Sequence, residues 1–128
     1  MTNQMQFVNK ITYEIIGCCY RIHTEFGPGL LESVYELCLE GELYQMGYTV
    51  ERQVSVPINY KDVPIRSGFR ADLIVENAII LEVKAVESFA PVHQAQLLTY
   101  MRLANKPIGL LLNFNVVSMK DGIKRFIR

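Results

Sequence analysis

The sequence predicts one α/β or α+β domain spanning residues 1–128, with elements in the order ααββββαβ(β). Three observations support this prediction. Apolar residues recur every three or four positions up to about residue 46, alternate with polar residues near residue 55, and then fill short β-branched runs. The 128 residues, half of them apolar and a fifth charged, have the size and composition of a single globular domain.

Two helices are expected first. Residues 7–26 show the apolar spacing of an amphipathic helix, and the Gly-Pro-Gly turn at residues 27–29 ends it because proline cannot continue a helix. A second helix is predicted from residue 30 to about residue 46. Gly47 is well placed to end that helix.

Strands dominate the middle of the chain. Residues 54–60 alternate in polarity, and Pro57 places their strand at a sheet edge because proline cannot donate to the ladder. Lys61 and Asp62 form the expected turn. The remaining elements are a strand up to about residue 69, strands at residues 71–75 and 79–83, a helix at residues 91–105, an interior strand at residues 108–114 and one short strand after residue 116.

The charge distribution sets limits on the partner. The formal net charge is zero, which argues against strong binding of nucleic acid through overall charge alone. Residues 1–64 carry 4 Lys or Arg against 8 Asp or Glu, and residues 65–128 carry 9 against 5. Both a local basic surface and an ordinary solvated face are compatible with this split.

The cysteines and the apolar runs indicate the compartment. Cys18, Cys19 and Cys38 lack zinc-type spacing and fall in helix-like apolar stretches, so we expect small buried side chains in a reducing environment. The first residues show no signal-peptide pattern, and no apolar run approaches the ~18 residues of a membrane span. A cytoplasmic protein outside the membrane is expected.

The predicted hairpin at residues 71–84 carries the side chains suited to chemistry. Glu82 and Lys84 are two positions apart on one strand and therefore share a face. If the loop comprises residues 76–78, Asp72 lies opposite Glu82 on that face, whereas a two-residue loop would place Asp72 opposite Val83. Two carboxylates so close repel each other unless a cation or a proton lies between them.

These groups admit two interpretations. Carboxylate oxygens suit Mg²⁺ or Mn²⁺, and the ammonium of Lys84 beside them can orient water or offset charge on a phosphate. The structural alternative is a Glu82–Lys84 ion pair at an exposed strand end, with Asp72 as a surface residue near the turn.

Polar side chains on two helices can also reach this region. Glu32 falls in the first turn of the second helix, where an acidic residue also favours the helix dipole. Gln96 and Tyr100 are i,i+4 neighbours on the third helix, and a tyrosine hydroxyl at the core margin is the structural alternative for the latter. Three further glutamates are expected on the solvated surface of the second helix: Glu36, Glu40 and Glu42.

Five blocks, in a fixed order over nearly the whole chain, resemble a known family. The blocks are GLLESVY at residues 29–35, FRAD at 69–72, LEVKAV at 81–86, PVHQAQLLTY at 91–100 and GLLLNF at 109–114. Together they are similar to the GxxExxY protein family of the PD-(D/E)XK nuclease superfamily. The resemblance implies a restriction-endonuclease-like core, which is a mixed β-sheet flanked by helices.

The resemblance also implies an activity and its partners. A divalent-metal-dependent nuclease that hydrolyses phosphodiester bonds would act on nucleic acid, with DNA favoured over RNA and Mg²⁺ or Mn²⁺ as the cofactor. A homodimer is the oligomer to test. The alternative is a non-catalytic module that binds nucleic acid or protein and retains the nuclease fold.

Individual residues take their roles from the matching blocks. Asp72 and Glu82 resemble the metal ligands, Lys84 the catalytic lysine, and the carbonyl of Val83 would add a ligand. Glu32 matches the acidic residue that an N-terminal helix contributes in the RecB-like branch and would complete the outer shell of the metal site. Two residues resemble the QxxxY element of RecB-like nucleases and would position the substrate: Gln96 and Tyr100.

Overall fold

The computed structural model describes residues 2–128, apart from the side chain of Ser67, and this part contains three α-helices and one five-stranded sheet. The elements are α1 (Asn3–Phe26), α2 (Glu32–Gln45), β1 (Val50–Tyr60), β2 (Val63–Val75), β3 (Ile79–Lys84), α3 (Pro91–Leu103), β4 (Ile108–Asn113), a short 3-10 helix (Met119–Gly122) and β5 (Ile123–Ile127). No described helix is long and apolar enough to cross a bilayer.

The sheet is mixed, as the resemblance implies. Its spatial order follows the chain from β1 to β5, and the pairs are antiparallel except for β3 and β4, which are parallel and joined through α3. β1 lies at the edge that Pro57 predicts. Every residue of β4 is buried, which confirms the interior position predicted from its continuous apolar run.

Two cores cover the two faces of the sheet. On one face, buried side chains of α1 and α2 pack with Leu73, Leu81 and Val83. On the other face, Leu97 and Met101 of α3 pack with neighbouring apolar residues of β2, β3 and β4. The strand ends that carry Asp72 and Glu82 therefore lie between a helical layer on each side.

The number of strands differs from the prediction. The segments expected as separate strands, one ending near residue 69 and one at residues 71–75, form the single strand β2 because no turn residue separates them. Arg70 continues the ladder opposite Ser55, and the irregularity is instead a register shift between Val56 and Ile58. Cys18 and Cys19 are buried as expected, and Cys38 is half-buried.

The β2–β3 loop has the predicted length. Val75 pairs with Ile79, which leaves residues 76–78 as the loop. Glu76 and Asn77 take left-handed backbone conformations, with φ of 51° and 52°, which allow the chain to reverse tightly. The register predicted from a three-residue loop is therefore confirmed, and it sets the position of Asp72 relative to Glu82.

Candidate functional site

The site begins where the β2–β3 ladder ends. The last backbone pair is Leu73 with Leu81. Beyond it, the backbone N–H of Asp72 donates to Glu82 Oε2 at 2.9 Å, and the N–H of Val83 donates to Asp72 Oδ2 at 2.8 Å. Each carboxylate thus accepts a hydrogen bond from the facing strand, and the two acidic side chains are held together.

Electrostatics at this pair are unfavourable for two negative charges. Glu82 is only 5% exposed, and burial first and the negative charge of Asp72 second raise its pKa to about 8. Burial also raises the pKa of Asp72, against the lowering effect of the Val83 N–H and of the Lys84 charge. Both pKa values are therefore shifted in the direction that favours the protonated carboxyl group when no cation is bound.

Lys84 is the nearby cation. It is half-buried at the end of β3, and its positive charge lowers the pKa of both Asp72 and Glu82. No direct salt bridge between Glu82 and Lys84 is present among residues 2–128. The ammonium group is therefore close enough to act on the carboxylates electrostatically without being bound to either.

Glu32 adds a carboxylate from α2. Its Oε2 accepts a hydrogen bond of 2.8 Å from the N–H of Ala85, the residue that follows β3. Its negative charge contributes to the raised pKa of Asp72. The first turn of α2 thus lies at the end of β3, next to the two strand carboxylates.

Tyr35 fixes the entry into that first turn. Its hydroxyl donates to the carbonyl of Gly27 at 2.6 Å and accepts from the N–H of Leu30 at 3.2 Å, while its ring stacks on Phe114. The tyrosine of the GLLESVY block therefore holds the turn before α2 and, through it, the position of Glu32.

Glu36 was expected on the solvated surface, and that prediction was wrong. It is 5% exposed and lies one helical turn after Glu32. Gln53 Nε2 donates to its Oε1 at 2.7 Å, and Arg52 Nε lies 3.4 Å from the same oxygen as an ion pair without hydrogen-bond geometry. Burial is the largest cause that raises the pKa of Glu36.

A sequence signal for Glu36 existed. It precedes Leu39 by three positions and Leu43 by seven, which is the spacing of the buried face of α2. The other two glutamates of that prediction, Glu40 and Glu42, are half-buried, and Glu42 pairs with Arg21 at 2.8 Å.

Gln53 is the second residue that sequence reasoning missed. It lies in β1 between the pairs Arg52–Leu73 and Val54–Ala71, yet its φ of 55° is in the left-handed region. Its Nε2 also lies 3.5 Å from Asp72 Oδ1. The sequence does not predict this left-handed conformation, because the alternating polarity of β1 is that of an ordinary strand.

On α3 the structure separates the two predicted residues. Tyr100 is half-buried and stacks on Phe69, and burial first, then the charges of Glu82 and Asp72, raise its pKa. Gln96 is exposed, and no hydrogen bond joins it to the carboxylates in the described chain. Tyr100 thus lies within electrostatic reach of the site, and Gln96 lies one helical turn away.

The donor set suits a hard divalent cation that keeps part of its water shell. Within residues 2–128, no three Asp, Glu, His or Cys side chains form a ready-made metal cage. The strand pair supplies two carboxylates, each with one oxygen fixed by a backbone N–H, and their mutual repulsion favours a cation between them. Mg²⁺ typically binds through one or two carboxylates and water, so the residues fit this class of ion.

Comparison with known proteins assigns this arrangement to a family. A sequence model of the PD-(D/E)XK nuclease superfamily matches residues 9–126, which is nearly the whole chain. No curated protein and no solved structure matches the chain significantly. The matched range includes both strand carboxylates, the lysine and the α2 glutamates.

Proposed function

The chain belongs to the PD-(D/E)XK nuclease superfamily, and on that premise we propose that it is a divalent-metal-dependent nuclease. Its substrate is nucleic acid, with DNA as the principal target, and Mg²⁺ or Mn²⁺ is the cofactor. The observation that supports the proposal most is the reciprocal hydrogen bonding of Asp72 and Glu82 at the end of the ladder, with Lys84 beside them. A purely structural strand pair has no use for a buried and a half-buried carboxylate that repel each other.

The proposed reaction is phosphodiester hydrolysis. The oxygen of a water molecule attacks phosphorus and gives up one proton to the surrounding solvent, one P–O bond breaks, and the departing oxygen takes up a proton from solvent. When bound, the metal ion supplies Lewis acidity at the phosphate and lowers the pKa of water.

The residues of this chain take distinct roles in that reaction. Asp72 and Glu82 hold the cation, with the carbonyl of Val83 as a further ligand. Lys84 activates the attacking water and offsets the negative charge that develops on the phosphate. Glu32 fixes the end of β3 through Ala85 N.

Three further residues orient a metal ligand or the substrate. Gln53 orients Asp72 through its amide, because the same amide is bonded to the buried Glu36. Tyr100 orients the phosphate with its hydroxyl, and Gln96 contacts the substrate one helical turn before Tyr100 on α3.

A cleavage assay tests the proposal. Single- and double-stranded DNA and RNA are incubated with the wild type and with Asp72→Asn, Glu82→Gln and Lys84→Gln in Mg²⁺ or Mn²⁺. Asp72→Asn and Glu82→Gln keep an acceptor oxygen for the backbone N–H groups, so both variants are expected to fold. Cleavage should fall about 10²–10⁴-fold in each variant, in line with the loss of a charge-stabilising or proton-transferring group.

Glu87→Gln and Lys120→Gln are matched controls. Both residues are exposed, and each substitution removes the same charge as its counterpart in the site. Thermal unfolding of all variants verifies folding. If the wild type cleaves none of the four substrates and takes up no Mn²⁺, the catalytic proposal is wrong, and the non-catalytic binding module becomes the better description.

A further inference from the structure

The tip of the β1–β2 hairpin is unusually exposed. We call residues 58–66 the projecting ribbon. Its three backbone pairs, from Ile58–Ile65 to Tyr60–Val63, lie beyond the register shift that follows Val56. Every residue from 59 to 66 is exposed, including large apolar side chains such as that of Tyr60. A hairpin tip without cover from the helical layers is available for a partner.

Unpaired positive charge extends along this hairpin toward the site. Lys61 and Arg66 belong to the projecting ribbon, and Arg70 lies between it and Asp72. Residues 58–70 carry three basic side chains against the single acidic Asp62, although the whole chain has a net charge of zero. None of the three forms a salt bridge in the described chain, and the ammonium of Lys61 lies 5.4 Å from the centre of the Tyr60 ring.

The dimensions of the ribbon match a DNA groove. Three pairs at ~3.4 Å per residue give a projection of roughly 10 Å, and the two strands are ~4.8 Å apart. The major groove of B-form DNA is about 12 Å wide and 8.5 Å deep and admits a two-stranded β-ribbon. Ile65 pairs with Ile58 and Asp72 lies opposite Gln53, five residues away on β1, so Arg66 lies within roughly 17 Å of Asp72 along the hairpin, about five base pairs along a duplex.

We propose that the projecting ribbon enters the major groove of duplex DNA while one strand of that duplex lies at the Asp72–Glu82 site. The assignment of the bound strand rests on the proposed nuclease function. Insertion of the projecting ribbon into a major groove restricts the substrate to B-form duplexes, because the major groove of an A-form RNA helix is deep and too narrow for side chains to read. Lys61 and Arg66 supply the phosphate contacts.

Equilibrium binding tests the ribbon without requiring cleavage. The full chain carrying Glu82→Gln is titrated with a DNA duplex of about 20 base pairs and with an RNA duplex of the same sequence over a range of salt. We expect at least tenfold preference for DNA. The double variant Lys61→Ala/Arg66→Ala should bind DNA at least tenfold more weakly and lower the salt slope by about 2, one unit per lost phosphate contact.

The matched control is Lys10→Ala/Lys120→Ala, which removes the same charge from exposed positions on α1 and the 3-10 helix. Equal binding of DNA and RNA duplexes, or equal weakening by the control and the ribbon variant, would overturn the inference. So would sedimentation showing that the ribbon variant dissociates a dimer, since the ribbon would then contact a second copy. Ribbon-dependent DNA binding by a wild type that cleaves nothing would overturn the nuclease proposal alone.

Discussion

Replacing Gln53 by alanine and by glycine separates the cost of its backbone conformation from the role of its side chain. Both substitutions remove the amide that donates to Glu36 and lies near Asp72. Only glycine also relieves the left-handed φ of 55°. We therefore expect the two variants to differ in stability while they share the same loss at the site.

The magnitude follows from two effects. A left-handed backbone conformation destabilises the folded state by about 1–2 kcal/mol when the residue is alanine. Glycine avoids this penalty, but its greater conformational freedom in the unfolded chain lowers the stability of the glycine variant by about 0.5–1 kcal/mol. Gln53→Gly should thus be about 1 kcal/mol more stable than Gln53→Ala. Loss of the 2.7 Å donor leaves Glu36, which is 5% exposed, poorly satisfied, and this lowers the free energy of unfolding of both variants by about 1–3 kcal/mol.

Urea unfolding gives the stabilities, and Mn²⁺ titration gives the affinities. Both variants should bind Mn²⁺ about 10–100-fold more weakly than the wild type, as expected when a residue that orients a metal ligand is removed. Asn77 is the matched control, since its φ of 52° is also left-handed but it lies in the exposed β2–β3 loop. The free energy of unfolding of Asn77→Gly should likewise be about 1 kcal/mol higher than that of Asn77→Ala. Neither variant should change the affinity for Mn²⁺.

Two results would refute this reasoning. If Gln53→Gly is less stable than Gln53→Ala, the backbone at residue 53 is not strained. If both variants bind Mn²⁺ as well as the wild type, the Gln53 amide does not orient Asp72.

Two further predictions concern Glu82 and Tyr35. Because the pKa of Glu82 is raised to about 8 in the metal-free fold, against about 4.3 in the unfolded chain, the free energy of unfolding should fall as the pH rises from about 4.5 to 8. Glu82→Gln should reduce this dependence of the free energy of unfolding on pH, and an unchanged dependence would contradict the raised pKa. Calorimetry in buffers of different ionisation enthalpy should detect proton release when Mn²⁺ binds to the wild type at pH 7. Tyr35→Phe keeps the ring stacked on Phe114 but removes the hydroxyl that contacts Gly27 and Leu30, so thermal unfolding should report a loss of about 1–3 kcal/mol. Wild-type stability of that variant would show that the hydroxyl does not hold the turn before α2.

Much of the architecture could be predicted from local chemistry. Pro57 indicated the sheet edge, the apolar run of β4 indicated the interior, and the three-residue loop set the register that places Asp72 across from Glu82. Each of these depends on neighbours in sequence or on a rule of strand geometry.

The missed residues depend on contacts that are distant in sequence. Gln53 reaches Glu36 across 17 positions and Asp72 across 19, and its left-handed backbone has no counterpart in the polarity pattern of β1. Glu36 was misassigned because a charged residue on a helix is ordinarily solvated, whereas here β1 supplies the amide of Gln53 and the guanidinium of Arg52 as partners for its carboxylate.

The end of the β2–β3 ladder has a consequence for spectroscopy. Elsewhere in the sheet, amide protons exchange with solvent at rates set by the opening of backbone pairs. The amide protons of Asp72 and Val83 instead depend on carboxylate acceptors, whose charge changes with protonation and with bound metal. The chemical shifts and exchange rates of these two amide protons should therefore report directly on the protonation of the carboxylates and on metal binding.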